Sequence, residues 1–310
     1  MLTVKETTKA VVPNQLALVS TAVSIERLSA EQEFEVLEFL GRRPLHNVAM
    51  MSLIRDNGLI SALNRGAFYS CRDANRQLEG VALIGHATLL ETISDRALQA
   101  FARVIAECPE IHLIMGEQER IQDLWDHCDS VGRYMRRACR ELLFELRWPV
   151  EVRDNATPTP QLQLATAAEL ELIMPVQANM AFEESGVNPL DVDPIGFRRR
   201  CLRRIEQGRT WVVIENGSLV FKADIIAETS EVIYLEGIWL SEEARNQSHG
   251  VTLVSELSRM LLKRAHSVCL LVNERNKRAQ AFYKKCGYLF RATYETIFLP
   301  QKESGFLNQS

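Results

Sequence analysis

The order of hydrophobic patterns repeats along this chain, and the repetition constrains the fold more than any single residue does. Residues 23–148 and 161–300 each contain the same succession of predicted elements: a strand, two helices, three strands, a helix, a strand, a helix and a last strand. Two successive blocks with one element order indicate an internal duplication. The halves share this pattern rather than their residues. The sequence therefore predicts two consecutive domains of the α/β (α+β) class.

The segments between and around these blocks predict the domain boundaries. Residues 149–160 contain three prolines among small polar residues, a composition typical of a linker. Residues 1–22 give no periodic pattern and are predicted to be a flexible leader, and residues 301–310 a tail. The total length of 310 residues exceeds that of a usual single domain, which agrees with this division.

Composition excludes several classes of protein. The net charge of −4 gives no general attraction to nucleic acid or to anionic membranes, so neither is expected as a partner. No run reaches about 18 apolar residues, the length needed to span a bilayer. Seven cysteines lie without the spacing of a metal site, so no metal is expected. Their odd number, without a secretory signal, favours a reducing compartment, and a cytoplasmic location is predicted.

A polar segment near the end of the second half contains the most specific motif. Residues 273–287 follow a short apolar run at 268–272, and they predict a strand, a polar turn and a helix. The spacing Asn-x-x-Asn-x-x-Ala-x-x-Phe-Tyr-x-x-x-Gly is complete. Its positions are filled by Asn273, Asn276, Ala279, Phe282, Tyr283 and Gly287, and an aromatic residue, Tyr288, follows.

This spacing resembles the last motif of the GNAT superfamily of acetyl-CoA-dependent acyltransferases. The resemblance is specific only for the second half, and it implies two tandem GNAT-like domains, each a mixed, mostly antiparallel sheet flanked by helices. Residues 161–300 would form the acetyltransferase domain, and residues 23–148 a divergent N-terminal domain without the CoA loop. The implied activity is N-acetyl transfer from acetyl-CoA to a primary amine by direct attack. The amine acceptor is unknown and is either a small molecule or a protein lysine.

A second segment of the second half resembles the family's pyrophosphate loop, Arg/Gln-x-x-Gly-x-Gly/Ala, which opens a helix. A helix N-terminus suits diphosphate because its free N–H groups and positive dipole end attract anions. Arg245 and Gly250 match this loop, whereas Asn246 and Ser248 stand where glycines are common. The resemblance assigns CoA contacts to Ile238, Trp239, Leu240, Arg245, Asn246, Gln247, Ser248, His249, Gly250, Val251, Asn273, Asn276 and Tyr283.

The corresponding segment of the first half lacks these features. Its helix is entered without a glycine, and Glu91 and Asp95 lie near the N-terminal dipole end. Negative charge at this place repels diphosphate. The first half is therefore predicted not to bind CoA there.

Acetyl transfer to an amine requires a deprotonated nucleophile, because an unperturbed lysine has a pKa of about 10.4. A base must assist. Glu236, near the end of a predicted strand, is the candidate base, and Glu183 and Glu184 lie where acceptors usually enter. The resemblance makes Tyr283 the acid that protonates the leaving sulfur. The alternatives are a solvated surface charge for each carboxylate and a packed aromatic for Tyr283.

Two other functions remain compatible with the sequence. The substitutions at Asn246 and Ser248 would also suit a catalytically weak or inactive regulatory module that binds acyl-CoA. Tandem GNAT-like domains also occur in aminoacyl or acyl transferases, in which the substrate cleft would lie between the halves. Neither the acceptor nor the acyl-chain preference follows from the sequence.

Overall fold

The computed structural model describes residues 23–129, 135, 137–148, 161–246 and 249–300. The predicted leader, linker and tail lie outside the described residues, as do Gln247 and Ser248. The strands are β1 (Ser24–Arg27), β2 (Gly66–Arg72), β3 (Leu78–Gly85), β4 (Ala87–Thr92), β5 (Leu113–Glu117), β6 (Arg137–Arg147), β7 (Gln163–Leu164), β8 (Thr210–Glu215), β9 (Ser218–Glu228), β10 (Val232–Leu240), β11 (Ser267–Asn273) and β12 (Leu289–Phe298). The α-helices are α1 (Glu33–Leu40), α2 (Pro44–Asn57), α3 (Asp95–Glu107), α4 (Gln118–Asp129), α5 (Leu170–Ser185), α6 (Pro189–Val192), α7 (Pro194–Glu206), α8 (Glu242–Asn246), α9 (His249–Leu261) and α10 (Lys277–Lys285).

Equivalent helices of the two halves begin with the same local devices. Before α1, the backbone N–H of Ser29 donates to Gln32 Oε1 at 2.9 Å. Before α5, the N–H of Thr166 donates to Glu169 Oε2 at 2.7 Å. Both are capping boxes, which satisfy N–H groups left free at a helix start. The second long helix of each half, α2 or α7, begins with proline. These devices agree with the predicted duplication.

The sheet is mixed and mostly antiparallel, as expected. All the strands pair into one sheet with the order β1-β2-β3-β4-β5-β12-β6-β11-β10-β9-β8-β7. Within the described residues, the parallel pairs are β4 with β5 and β10 with β11, and each falls at the equivalent place in its half. The short helices α6 and α8 were not predicted, because four or five residues are too few to show helical periodicity.

The last strand of each half lies in the other half's part of the sheet. β6 pairs with β11, whereas β12 pairs with β5, and β6 and β12 pair with each other. Glu141 of β6 lies opposite Asn273 on one side and Tyr294 on the other, and Tyr294 lies opposite Glu117. This register relates the halves by a pseudo-twofold axis between β6 and β12. The domain boundaries at 23–148 and 161–300 stay a prediction. Strand pairing crosses them, because β6 pairs with β11 and β12 pairs with β5.

Helices cover both faces of the central sheet. On one face α9 contributes Leu257 to a buried cluster with Ile233 and Val268. On the other face α2 contributes Val48, which packs in one cluster with Leu143 of β6 and with Tyr234, Cys269 and Tyr294. Because α2 belongs to the first half and also packs on β9 and β10, it joins the halves a second time.

Polar contacts fix the position of α2 on the second half. Ser52 Oγ accepts a hydrogen bond from the backbone N–H of Glu228 at 3.0 Å. Asp56 pairs with Arg209 at 2.6 Å, and Asn57 Oδ1 accepts from Arg203 at 2.9 Å. No helix in the described part of the chain is long and apolar enough to cross a membrane.

The shared strands predict that the halves unfold together. Calorimetry should show one thermal transition. Leu98→Ala in the first half and Leu257→Ala in the second should each lower the temperature of that transition, because each leaves a cavity that costs about 2–5 kcal/mol. Two separate transitions, each shifted by only one of these substitutions, would contradict the shared sheet.

Candidate functional site

A notch opens in the second half where two parallel strands separate. The pairing of β10 with β11 ends at Leu235 and Leu270, although β10 continues to Leu240 and β11 to Asn273. Backbone N–H and C=O groups that lose a ladder partner require another one. The free edge of β10 beyond Leu235 is therefore a place where an extended, amide-containing ligand can pair.

The starts of α9 and α10 flank this notch. Gly250, near the start of α9, lies between the end of β10 and α10. A Cβ atom at this position would lie 3.1 Å from both Leu240 Cδ2 and Phe282 Cε2. Glycine therefore permits the close approach of α9 to these side chains. The helix start, with His249, Gly250 and Val251, is placed beside the end of the free strand edge.

The predicted loop residues are described only in part. Arg245 is exposed at the end of α8, and its Nε donates to Leu240 O at 2.9 Å, so the side chain folds back to the end of β10. Asn246 ends α8, but its side chain, Gln247 and Ser248 lie outside the described residues. The roles of these three residues stay predictions.

The two asparagines of the motif stabilise the turn between β11 and α10. Asn276 caps α10, because its Oδ1 accepts from the backbone N–H of Ala279 at 2.9 Å. Asn273 Oδ1 accepts from the N–H of Arg275 at 2.9 Å, and its Nδ2 donates to Cys139 Sγ at 3.1 Å. These contacts explain the motif structurally. A contact of either residue with CoA is a prediction.

Tyr283 lies half-buried on the inner side of α10. Its ring packs edge-on against Phe282 and Tyr288, with centroid distances of 5.1 and 6.0 Å. Burial, assisted by the nearby Cys286 thiol, raises the pKa of Tyr283 well above its ordinary value. The hydroxyl therefore keeps its proton at neutral pH. No hydrogen-bond partner for this hydroxyl is found in the part of the chain that the structure describes.

Three carboxylates from three elements converge near the notch. Glu236 is the last residue of β10 before a bulge, Glu184 lies near the end of α5, and Glu141 lies on β6. Glu184 keeps contact with solvent, but surrounding protein partly removes it from water and raises its pKa to about 8, and repulsion by Glu236 and Glu141 adds to the effect. The pKa of Glu141 is also raised, first by burial and then by Glu236, although the hydroxyl of Thr296 donates to it at 3.1 Å.

The environment of Glu236 is that of a cleft. Its side chain contacts solvent, yet protein surrounds it on most sides, and this partial removal from water raises its pKa. Arg204 and Lys222 oppose the rise, whereas Asp224 strengthens it. Such a carboxylate is accessible and holds a proton more readily than a surface glutamate, as a base at neutral pH must.

The structure separates the two glutamates predicted on the acceptor side. Glu184 joins the cluster with Glu236. Glu183 points elsewhere, because adjacent residues of a helix face different directions. Like Glu184 it is exposed, but its Oε1 accepts from Asn179 Nδ2 at 3.0 Å, one turn earlier on α5. Glu183 therefore does not belong to the site that the structure assembles.

Glu141 was not predicted as a site residue. It lies in the first half of the sequence, and β6 brings it beside β11 only through the strand exchange. The alternation of apolar and polar residues along a strand does not indicate which strand it pairs with. The available signal was the presence of two carboxylates, Glu141 and Glu145, in a largely apolar strand pattern at 138–146. Among the described residues, no group of three or more His, Cys, Asp or Glu is arranged to hold a metal ion.

The equivalent notch of the first half is bridged by an arginine. The pairing of β4 with β5 ends at Thr88 and Ile114. Beyond this point Arg43 contacts Glu91 of β4 at 3.1 Å and Glu117 of β5 at 2.6 Å. The bridge leaves a cavity of about 40 Å³, far smaller than ordinary ligand pockets. It gives a physical basis to the prediction that the first half does not bind CoA here.

Comparison with known proteins supports the second half as a family domain. Residues 178–288 match the sequence model of the Acetyltransferase (GNAT) family. These residues include Glu184, Glu236 and the motif containing Tyr283. No sequence among the curated proteins matches the chain.

Solved structures resemble the whole fold. An acetyltransferase of the GNAT family from Colwellia psychrerythraea superposes with a TM-score of 0.55 at 10% identity, covering 89% of this chain and 100% of that one. A tandem GNAT protein from the clavulanic acid biosynthesis pathway gives 0.56 at 12% identity, with 91% and 100% coverage. A GCN5-related N-acetyltransferase from Sphaerobacter thermophilus gives 0.57 at 10% identity, with 90% and 97% coverage. At these identities the likeness shows the fold alone.

The carboxylate cluster predicts how Glu184 titrates. In the intact protein its carboxyl should titrate near pH 8, measured by ¹³C NMR of the side chain. Glu141→Gln and Glu236→Gln should each lower this pKa, since each removes a negative charge that disfavours ionised Glu184. Glu183→Gln is the matched control and should leave it unchanged. A pKa of Glu184 that is insensitive to Glu141→Gln would show that β6 does not contribute to the cluster.

Proposed function

Residues 178–288 belong to the acetyltransferase (GNAT) family, and on this premise we propose that the protein moves an acetyl group from acetyl-CoA to a primary amine. The observation that supports this function best is the open notch between β10 and β11, with a protonated tyrosine on α10 and three carboxylates nearby. An acid and a group of potential bases thus flank a strand edge that can take an extended ligand.

The notch offers contacts for each part of acetyl-CoA, which is a substrate of the proposed reaction. The amides of its pantetheine arm can pair with the free edge of β10 at Ile238 and Leu240, with Trp239 between them, in the manner of an added strand. Its diphosphate suits the start of α9, where helix N–H groups attract anions, and Arg245 is the cation that the loop motif predicts for it. The motif residues Asn273 and Asn276 lie at the other wall.

Acetyl-CoA supplies the acetyl group as a thioester: a bond forms between the amine nitrogen and the carbonyl carbon, the carbon–sulfur bond breaks, and sulfur takes up a proton. The chain's residues manage the protons. Glu236 is proposed to take a proton from the amine, since its raised pKa brings it nearer to working pH. Tyr283 is proposed to give a proton to sulfur, because its hydroxyl remains protonated.

The charge of the site favours a cationic acceptor. Free amines are protonated at neutral pH, and carboxylates attract them before one carboxylate removes the proton. Glu236 and Glu141 contribute negative charge when they are ionised, whereas Glu184, with a pKa of about 8, is mostly protonated at neutral pH. A small amine and a protein lysine both fit this requirement. We also propose a reducing, cytoplasmic location, which an odd number of cysteines suits.

Titration calorimetry with acetyl-CoA, followed by a thiol-release screen of amines, tests the proposed function. We expect binding, and release of CoA only when a suitable primary amine is present. A protein that fails to bind acetyl-CoA would contradict the proposal. Binding without thiol release across a broad panel of amines would favour the regulatory module, an alternative suggested by Asn246 and Ser248.

Tyr283→Phe tests the acid. It should lower kcat by about 10²-fold, the lower range for a general acid, because a thiolate is a tolerable leaving group. The dissociation constant of acetyl-CoA should change little, since the ring remains. Tyr288→Phe is the control: it removes a neighbouring hydroxyl that bonds Ser258 at 2.7 Å and should keep kcat while lowering stability. An unchanged kcat in Tyr283→Phe would remove the acid role.

A further inference from the structure

A buried ion pair lies directly behind the bulge of β10. Lys222 and Asp224 of β9 are each only 1% exposed, and Lys222 Nζ lies 2.5 Å from Asp224 Oδ2. The ammonium also donates to Gln177 Oε1 of α5 at 2.6 Å and to the backbone oxygen of Gly237 at 3.3 Å. All three donors of the lysine therefore have acceptors, as a buried ammonium requires.

Two other groups hold Asp224 in place. Arg204 of α7 contacts its Oδ2 at 3.0 Å, and the hydroxyl of Thr210 on β8 donates to its Oδ1 at 2.8 Å. The network thus connects α5, α7, β8, β9 and β10 at one point. These contacts fix the position of Asp224 and, through the ion pair, that of the Lys222 ammonium. They therefore also fix where the ammonium can contact the oxygen of Gly237.

The bulge depends on this arrangement. Glu236 lies opposite Asp224, and Trp239 lies opposite Lys222, so that two residues of β10 oppose one residue of β9. Gly237 has a φ of +62°, which side-chain-bearing residues rarely adopt. A Cβ atom there would lie 2.9 Å from Lys222 Nζ. The ammonium occupies the space that a side chain would need.

The contact with the oxygen of Gly237 also orients the next amide. In a trans peptide the C=O and the N–H lie in one plane and point in opposite directions. Because Lys222 holds the C=O of Gly237, the N–H of Ile238 in the same plane points away from Lys222. Ile238 lies on the part of β10 whose pairing with β11 has ended.

A buried ion pair is weak evidence for a stabilising role, because well-packed apolar residues often stabilise as much. The specific effect of Lys222 is geometric: it contacts the bulge that lies between Glu236 and Trp239 on the free edge. We propose that Lys222 is a positioning residue, which sets the peptide between Gly237 and Ile238 so that the Ile238 N–H is presented to the acyl carbonyl in the notch. The proposal rests on the proposed function, since it requires acetyl-CoA in this notch.

NMR of ¹⁵N-isoleucine-labelled protein tests this proposal without a known acceptor. The Ile238 amide signal, assigned with an Ile238→Val variant, is followed during titration with acetyl-CoA and with CoA. In the wild type, acetyl-CoA should shift this signal further downfield than CoA does, because only acetyl-CoA carries the acyl carbonyl. In Lys222→Met this difference should be largely lost.

Thr210→Val is the matched control. It removes another buried hydrogen bond to Asp224 but does not touch Gly237, so it should lower stability and keep the Ile238 difference. Once an acceptor is found, Lys222→Met should lower kcat by about tenfold, a loss of ~1.4 kcal/mol of transition-state stabilisation. The dissociation constant of acetyl-CoA should stay within about threefold of the wild-type value, under 1 kcal/mol.

The outcomes distinguish this inference from the proposed function. A wild type that does not bind acetyl-CoA would overturn both. A wild type that binds acetyl-CoA and CoA with equal Ile238 shifts would overturn only the role of Lys222, as would a Lys222→Met variant that keeps the difference. If Lys222→Met fails to fold, Gln177→Leu loosens the ammonium while keeping its pair with Asp224. Gln177→Leu should reduce the difference between the Ile238 shifts caused by acetyl-CoA and by CoA, and an unchanged difference would overturn the inference.

Discussion

The antiparallel pairing of β6 with β12 joins the halves, and the architecture of both notches depends on it. Each of these strands ends one half of the sequence and borders the separated parallel pair of the other half. The exchange is reciprocal, so neither half can complete its part of the sheet alone. It also carries side chains across: Glu141 reaches the site of the second half, and Tyr294 reaches the notch of the first, where its hydroxyl lies 2.9 Å from His46 Nδ1.

The same backbone geometry holds two different electrostatic environments. In the first half, Arg43 neutralises Glu91 and Glu117 and bridges the separated strands. In the second half, removal from water and then repulsion between carboxylates raise the pKa values of Glu184 and Glu141. When such a group is ionised it attracts a cation, and its raised pKa makes it a stronger base toward the proton of that cation. The duplication thus supplied two notches, and their side chains favour a structural role for one and a chemical role for the other.

The sequence predicted what local patterns encode. Apart from the short helices α6 and α8, the predicted element order agrees with the structure, as do the bounds of α3, β8 and β10. The resemblance to the GNAT family is confirmed by the match at 178–288. Strand exchange could not be predicted, because the alternation of apolar and polar residues along β6 is the same whichever strand lies beside it. Glu141 was missed for this reason. Lys222 and Asp224 alternate with apolar residues, as on a half-exposed strand, yet α5 and α7 cover them. Glu183 and Glu184 are neighbours on α5 whose side chains point in different directions, and the sequence did not show which of them faces the site.

Hydrogen exchange measured by mass spectrometry, with and without acetyl-CoA, tests the central claim most directly. The claim is that acetyl-CoA binds in the notch of the second half and not in that of the first. Peptides covering 236–251 and 273–283 should exchange more slowly when acetyl-CoA is present, because their amides pair with it or are covered by it. Peptides covering 89–95 and 115–118 should not change. Protection of the first-half peptides, with none at 236–251, would contradict the account.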